Sequence, residues 1–172
     1  HYNLAGAYRN QGNLILAIDH FKKAIDLGSN EPEFYSDLGD ALWHDGQIKA
    51  AKEFLHMAVK IDPQHPRANY QLAVFLYDNK EFKLAMNYFE QSQFEDWQER
   101  VLYCHYKLKQ FELFEDKLLA LTALKNNSPF LATLSTHFAQ NFQKQDPYKF
   151  CPSPLDFVCH QKIPELTKNN KA

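Results

Sequence analysis

The sequence predicts an all-α protein built from antiparallel helix pairs that stack side by side. Only five of its 172 residues are glycine, and 45% are apolar, which is the composition of a globular protein with few tight turns. One pattern of large and small residues returns every 34 residues. Within each copy the apolar positions are three or four residues apart, so they line one face of a helix.

The period is clearest at a leucine, the small residue after it, and an alanine thirteen positions beyond the leucine. These positions are Leu4, Ala5 and Ala17; Leu38, Gly39 and Ala51; and Leu72, Ala73 and Ala85. A bulky and a small residue follow in each copy, at Phe21 and Ala24, Leu55 and Ala58, and Phe89 and Ser92. Small residues let two helices approach closely and the large ones fill the remaining space, so each copy predicts a helical hairpin.

Turn residues and helix-starting prolines give the helix boundaries. Gly12 and Gly46 mark the turns inside the first two copies, and Lys80 replaces glycine in the third. Pro32 and Pro66 predict the starts of first helices, because the first turn of a helix does not need the N–H that proline lacks. The predicted helices are 2–11, 13–27, 32–44, 47–61, 66–79 and 81–93, then less regular ones near 96–108 and 111–125.

The repeat pattern weakens after residue 93. Val101, Phe111 and Leu118 fit a fourth, shortened copy, and Ser128 with Pro129 predicts the start of another helix. That helix carries large and small residues at first-helix spacing, namely Leu131, Leu134, Ser135 and Phe138. We therefore predict a solenoid over 1–145, with regular repeats 1–31, 32–65 and 66–93 and a degenerate repeat plus capping helix over 94–143.

The last segment, 146–172, is predicted to be an extended proline-rich tail. Its prolines exclude a continuous helix, yet it keeps large apolar residues such as Phe150, Leu155 and Phe157. We expect these side chains to pack on the solenoid around Phe138 and Phe142. The alternative is that the tail leads into a further domain.

The second copy resembles the tetratricopeptide repeat family most closely. The matching residues are Tyr35, Leu38, Gly39, Leu42, Gly46, Ala51, Leu55, Ala58 and Pro63. Three such copies cover residues 1 to about 93. The resemblance implies a right-handed superhelical solenoid whose first helices line a concave surface, and a function in holding other polypeptides.

The same resemblance implies that a partner peptide contacts first-helix side chains that lie off the core stripe. The candidate residues are Asn3, Glu33, Asp37, Asp40, Trp43, His44, Arg67, Tyr70, Gln71, Tyr77 and Asp78. Asn3, Asp37 and Gln71 hold the positions of an asparagine ladder that grips peptide backbones in some family members. The alternative role for Trp43 and Tyr77 is packing between repeats. Of the cationic clamp that binds chaperone tails, only Arg67 is present, so that partner is not expected.

No catalytic, cofactor-binding or metal site is predicted. The net charge of −2 and the lack of a long apolar run argue against nucleic acid and membrane partners. The three cysteines form no Cys-x-x-Cys motif, which favours a reducing, cytoplasmic location. Cys104 is predicted to lie in the core, and Cys151 and Cys159 to anchor the tail. A zinc site that combines these two with His160 is a weak alternative.

The predicted function is that of a non-enzymatic interaction scaffold. The alternative is a substrate- or partner-binding arm of a larger enzyme of the transferase or oxygenase class, with its catalytic domain C-terminal to this chain. Because the chain begins with His1 and not Met, we expect it to be a fragment or a processed form of a longer protein. A third hypothesis is homo-oligomer formation through the N-terminal edge, where no capping residues precede the first repeat.

Overall fold

The computed structural model describes residues 1–28, 30–124 and 128–148. Within these ranges it contains nine α-helices and no β-strand, which confirms the all-α prediction. The helices are α1 (Tyr2–Asn10), α2 (Leu14–Asp26), α3 (Pro32–His44), α4 (Ile48–Ile61), α5 (Pro66–Asp78), α6 (Phe82–Ser92), α7 (Trp97–Lys107), α8 (Phe111–Ala123) and α9 (Pro129–Phe142). The predicted ends of the first eight helices agree with these bounds within two residues.

The chain forms two compact units, residues 1–117 and 118–172. In the first unit each helix packs against the next along the chain, from α1 to α7, and α3 also packs against α5. This arrangement is a stack of helical hairpins. The predicted division at residue 145 stays a prediction.

The repeated alanines and bulky residues form the core of the first unit, as predicted. Ala17, Ala51 and Ala85 are fully buried. Gly39 shows why this crossing needs small residues, because a Cβ atom there would lie 2.7 Å from Cγ of Leu55. Helices α3 and α4 are therefore too close to admit a larger side chain without moving apart.

One core prediction is wrong. Leu4 is 45% exposed, although its equivalents Leu38 and Leu72 are fully buried. Helices α3 and α5 each pack against the second helix of the preceding pair, α2 and α4 respectively. Helix α1 packs mainly against α2, the second helix of its own pair, and the Leu4 side chain faces solvent.

The helix ends use the predicted turn and cap residues. Asn13 Oδ1 accepts a hydrogen bond from the Leu16 amide at 3.3 Å, which caps α2. Gly12 and Gly46 have φ of 77° and 83°, in the left-handed region that favours glycine. Lys80 adopts the same conformation, with φ of 64°, at the equivalent turn of the third pair.

The second unit contains the predicted helix after the fourth pair. Ser128 caps α9 by accepting a hydrogen bond from the Leu131 amide at 3.3 Å, and Pro129 occupies the first turn, as predicted. The four predicted inward residues of α9 are all buried, namely Leu131, Leu134, Ser135 and Phe138.

The chain that follows α9 is held against that helix. The Asp146 carboxylate accepts hydrogen bonds from the hydroxyls of Ser135 and Thr136 and from the Tyr148 amide. The predicted burial of Phe150, Leu155 and Phe157, and the predictions for Cys151, Cys159 and His160, lie outside the described residues.

Candidate peptide-binding face

Off-core side chains of α1, α3, α5 and α7 form one continuous surface of the first unit, which we call the first-helix face. Its members are Tyr2, Asn3, Arg9, Glu33, Asp37, Asp40, Trp43, His44, Arg67, Tyr70, Gln71, Tyr77, Asp78, Arg100, Tyr103, Tyr106 and Lys107. Asp37 of α3 bonds side chains of α1 and α5, and the Tyr77 ring of α5 contacts the Tyr103 ring of α7 at 5.5 Å. The surface therefore crosses four successive first helices.

A buried carboxylate organises the α1–α5 end of this face. Asp37 Oδ1 accepts hydrogen bonds from Arg9 at 3.0 Å, from Arg67 at 2.8 Å and from the Gln71 amide nitrogen at 3.3 Å. Its Oδ2 accepts the Tyr2 hydroxyl at 2.6 Å. The Asp37 side chain is only 4% exposed, whereas that of Arg67 is 39% exposed. Two arginines thus neutralise one buried carboxylate from either side.

This network changes how the predicted ladder positions are to be understood. Burial, together with the hydrogen bond to Asp37, raises the pKa of Tyr2 to about 12. Gln71 Oε1 is buried and has no hydrogen-bond partner among the described residues. Asn3 is exposed. The three ladder positions therefore differ, because Asp37 and Gln71 already bond within the chain and Asn3 alone faces solvent.

The end of α3 combines an acid, an aromatic ring and a histidine. Asp40 lies 3.5 Å from His44 Nε2 and 3.7 Å from the Arg9 guanidinium, and burial raises the pKa of its carboxyl group. The Trp43 ring stacks on the His44 ring, with 5.4 Å between the ring centroids. It also makes an edge-to-face contact with Phe75 of α5, with 5.5 Å between the centroids. Trp43 therefore packs partly on the next repeat and remains partly exposed.

The start of α3 is joined to the start of α5. His65 Nδ1 accepts a hydrogen bond from the Ala68 amide at 3.1 Å, so Nε2 holds the hydrogen and donates to Glu33 at 2.7 Å. Ser36 of the same helix is fully buried, and its hydroxyl donates to the Glu33 carbonyl oxygen at 3.1 Å. Its small side chain fits inside the first turn of the helix.

Two tyrosines of α5, Tyr70 and Tyr77, contact residues at the start of α7 and within it. The Tyr70 hydroxyl donates to Asp96 at 2.6 Å, and burial raises the pKa of this hydroxyl. Tyr77 is half-buried, and the Arg100 guanidinium lies over its ring, 5.3 Å from the centroid. Burial also raises the pKa of Tyr77. Asp78 is exposed at the end of the same helix.

Helix α7 contributes to this face, although no residue of α7 was among the predicted binding residues. Val101 follows Leu72 by 29 residues and not by 34, so the repeat offset no longer pointed to α7. Counted from Val101, however, Tyr103 and Tyr106 fall where Val74 and Tyr77 fall relative to Leu72. That shifted register was the available signal. By the same count, Arg100 and Lys107 belong to the face as well.

Several charged and cysteine side chains lie outside this face. Lys49 and Lys60 are exposed on the second helix α4, and Lys52 Nζ of the same helix lies 2.9 Å from Glu81 Oε1. Cys104 is fully buried, as predicted, and this burial raises its pKa to about 12. The described part of the chain holds no cluster of three metal-ligating side chains. None of its helices is long and apolar enough to cross a membrane.

Two family models match the region that holds the repeats. One, described as YpiA-like, C-terminal tetratricopeptide repeats, matches residues 1–65, and a second, described as tetratricopeptide repeat, matches residues 44–101. The chain belongs to the tetratricopeptide repeat family. No curated protein sequence matches it significantly.

Solved tetratricopeptide repeat structures share its fold. PilF of Pseudomonas aeruginosa matches with a TM-score of 0.74 and 17% identity, over 86% of this chain and 70% of PilF. MamA (residues 41 to the end) from Desulfovibrio magneticus RS-1 matches with a TM-score of 0.69 and 19% identity, over 86% of this chain and 84% of MamA. YrrB, described as having an unusual peptide-binding site, matches with a TM-score of 0.68 and 16% identity, over 86% of this chain and 79% of YrrB. These similarities show an all-α superhelical fold of the tetratricopeptide type.

Proposed function

We propose that this chain is a non-enzymatic interaction scaffold that binds a peptide segment of a partner protein on its first-helix face, the concave face of this family. The observation that carries the proposal is a set of partly exposed aromatic rings on successive first helices, Trp43 of α3, Tyr77 of α5 and Tyr103 of α7. Large amphipathic rings supply contact area with little loss of side-chain entropy, which suits recognition. YrrB, which is described as having an unusual peptide-binding site, shares this fold, and that similarity supports the proposal.

The charged residues of the face have a secondary role in this proposal. Arg67 and Asp40 already take part in ion pairs within the chain, so a ligand charge must compete with existing partners. Asp78 and His44 are the exposed charged or titratable groups predicted for this surface. We therefore expect binding to depend mainly on aromatic contact and to weaken only mildly with added salt.

The proposal is tested by selecting peptides from a random library against the immobilised chain. Binding of the selected peptides is then compared between the parent and Trp43→Ala. A matched control is Tyr88→Ala, which removes a partly buried ring from the second helix α6. Thermal melting confirms that each variant is folded. Loss of binding by Trp43→Ala alone supports the proposal, and equal binding by all three proteins moves the site to another surface.

Self-association through the N-terminal edge is a separate proposal that rests on Leu4. An exposed leucine at a position that other repeats bury gives a second molecule an apolar contact. Light scattering over a range of concentrations tests it, and Leu4→Ser should shift any oligomer toward monomer. A concentration-independent monomer mass would contradict it.

A further inference from the structure

The two ends of the first-helix face differ in the charges they leave for a ligand. At the α1–α5 end, Arg9 and Arg67 both donate to the Asp37 carboxylate, so these cations already have a buried partner. A ligand carboxylate would compete for their charge with Asp37, whose side chain is only 4% exposed. The α1–α5 end is therefore a poor receptor for an acidic side chain.

At the α5–α7 end, two cations lie over tyrosine rings. Arg100 lies over Tyr77 at 5.3 Å from the ring centroid, and Lys107 lies over Tyr103 at 5.2 Å. Arg100 also donates to Asp96 at 3.0 Å, so a carboxylate of the chain already neutralises it. Lys107 is exposed, and the described residues place no carboxylate within ion-pair distance of it. Of these two cations, Lys107 is the one open to a ligand.

The contact between Lys107 and the Tyr103 ring restricts where the ammonium group lies. A cation over a ring face is held by the negative charge of that face, so part of its side-chain entropy is lost before a ligand arrives. The rings of Tyr77 and Tyr103 meet at 5.5 Å and stay partly exposed beside it. A fixed positive charge next to an apolar surface fits an acidic side chain followed by an aromatic or large aliphatic one.

Resting on the proposed function, we infer that Lys107 receives an acidic side chain of the bound peptide while a neighbouring apolar side chain of that peptide lies on the rings of Tyr77 and Tyr103. Asp78 occupies the equivalent position on α5 and is exposed with the opposite charge. It disfavours a second acidic residue beside α5. The ligand class is therefore a peptide with a single acid next to an aromatic residue, and not a run of acids.

The inference is tested with two labelled peptides that differ at one position. One contains Glu-Phe and the other Lys-Phe, and the remaining residues are the same and uncharged in both. Fluorescence anisotropy measures the affinity of each for the parent and for Lys107→Glu. Because exposed ion pairs contribute modestly, the parent should prefer the Glu-Phe peptide by about three- to tenfold, and Lys107→Glu should reverse that preference. Tyr103→Leu should weaken binding of both peptides.

Lys60→Glu is the matched control, since it introduces the same charge change at an exposed lysine on the second helix α4. It should leave both affinities unchanged. Equal effects of Lys60→Glu and Lys107→Glu overturn the inference. If the library yields binders that depend on Trp43 and not on Lys107, the inference fails while the proposed function stands. If neither the library nor the two peptides give any binding, both fail.

Discussion

Replacing Asp37 by asparagine keeps the shape of the side chain and removes its charge, so it isolates the contribution of the buried network. In the parent, Oδ1 accepts from Arg9, Arg67 and Gln71, and Oδ2 accepts from the Tyr2 hydroxyl. A hydrogen bond to a charged group contributes about 1.5–3 kcal/mol, and losing one partner of a buried pair costs about 3–5 kcal/mol. Because both arginines are partly exposed, water recovers some of this loss. We expect Asp37→Asn to lower the free energy of unfolding by about 2–4 kcal/mol.

The assay is urea unfolding followed by far-ultraviolet circular dichroism, with Asp40→Asn as the control on the same helix. The Asp40 side chain is 24% exposed and its ion pairs are long, at 3.5 and 3.7 Å. Its substitution should therefore lower the free energy of unfolding by less than about 1 kcal/mol. If the two variants unfold at the same midpoint with the same slope, the network does not stabilise the fold and the reasoning is refuted.

Two further predictions each compare a tightly packed position with an open one, measured in the same way. Leu38→Ala should lower the free energy of unfolding by about 2–5 kcal/mol through the cavity it leaves, whereas the exposed Leu4→Ala should change it by less than about 1 kcal/mol; similar losses would contradict the burial difference. Gly6→Ala, where a Cβ meets nothing within 4 Å, should raise it by up to about 1 kcal/mol. Gly39→Ala should lower it, because overpacking against Leu55 costs about 1–3 kcal/mol; a gain at Gly39 would show that α3 and α4 separate easily.

The helices and the core were predictable because the same pattern of large and small residues occurs in each copy of the repeat. Each boundary depends on local signals, such as Pro32 and Pro66 at helix starts and Gly46 at a turn, and the tertiary structure does not override them. The small and large core positions follow from helical spacing alone. The predicted burial of Leu4 was wrong because its burial depends on a neighbouring helix. Spacing within one helix carries no information about that neighbour.

The network at Asp37 was not predictable from spacing. Its offset places it on the exposed side of α3, where an acid is expected to face solvent. It is buried because long side chains from α1 and α5, Arg9 and Arg67 among them, extend across it from 28 and 30 residues away in sequence. Periodicity reports which face of a helix a residue occupies, but it does not report which distant side chain covers that face. The contribution of α7 was hidden for a different reason, the shortened spacing before Val101.

The Asp37 carboxylate also affects how the repeat array loses its structure. Repeats in a solenoid contact mainly their neighbours, so an end pair can open while the remainder stays folded. Here Tyr2 and Arg9 come from the first pair and Arg67 and Gln71 from the third, and all four bond one residue of the second. Opening either outer pair removes two of the four side chains that donate hydrogen bonds to the buried Asp37 carboxylate. The first three pairs should therefore behave as one cooperative block in native-state hydrogen exchange, and not as a series that frays from its end.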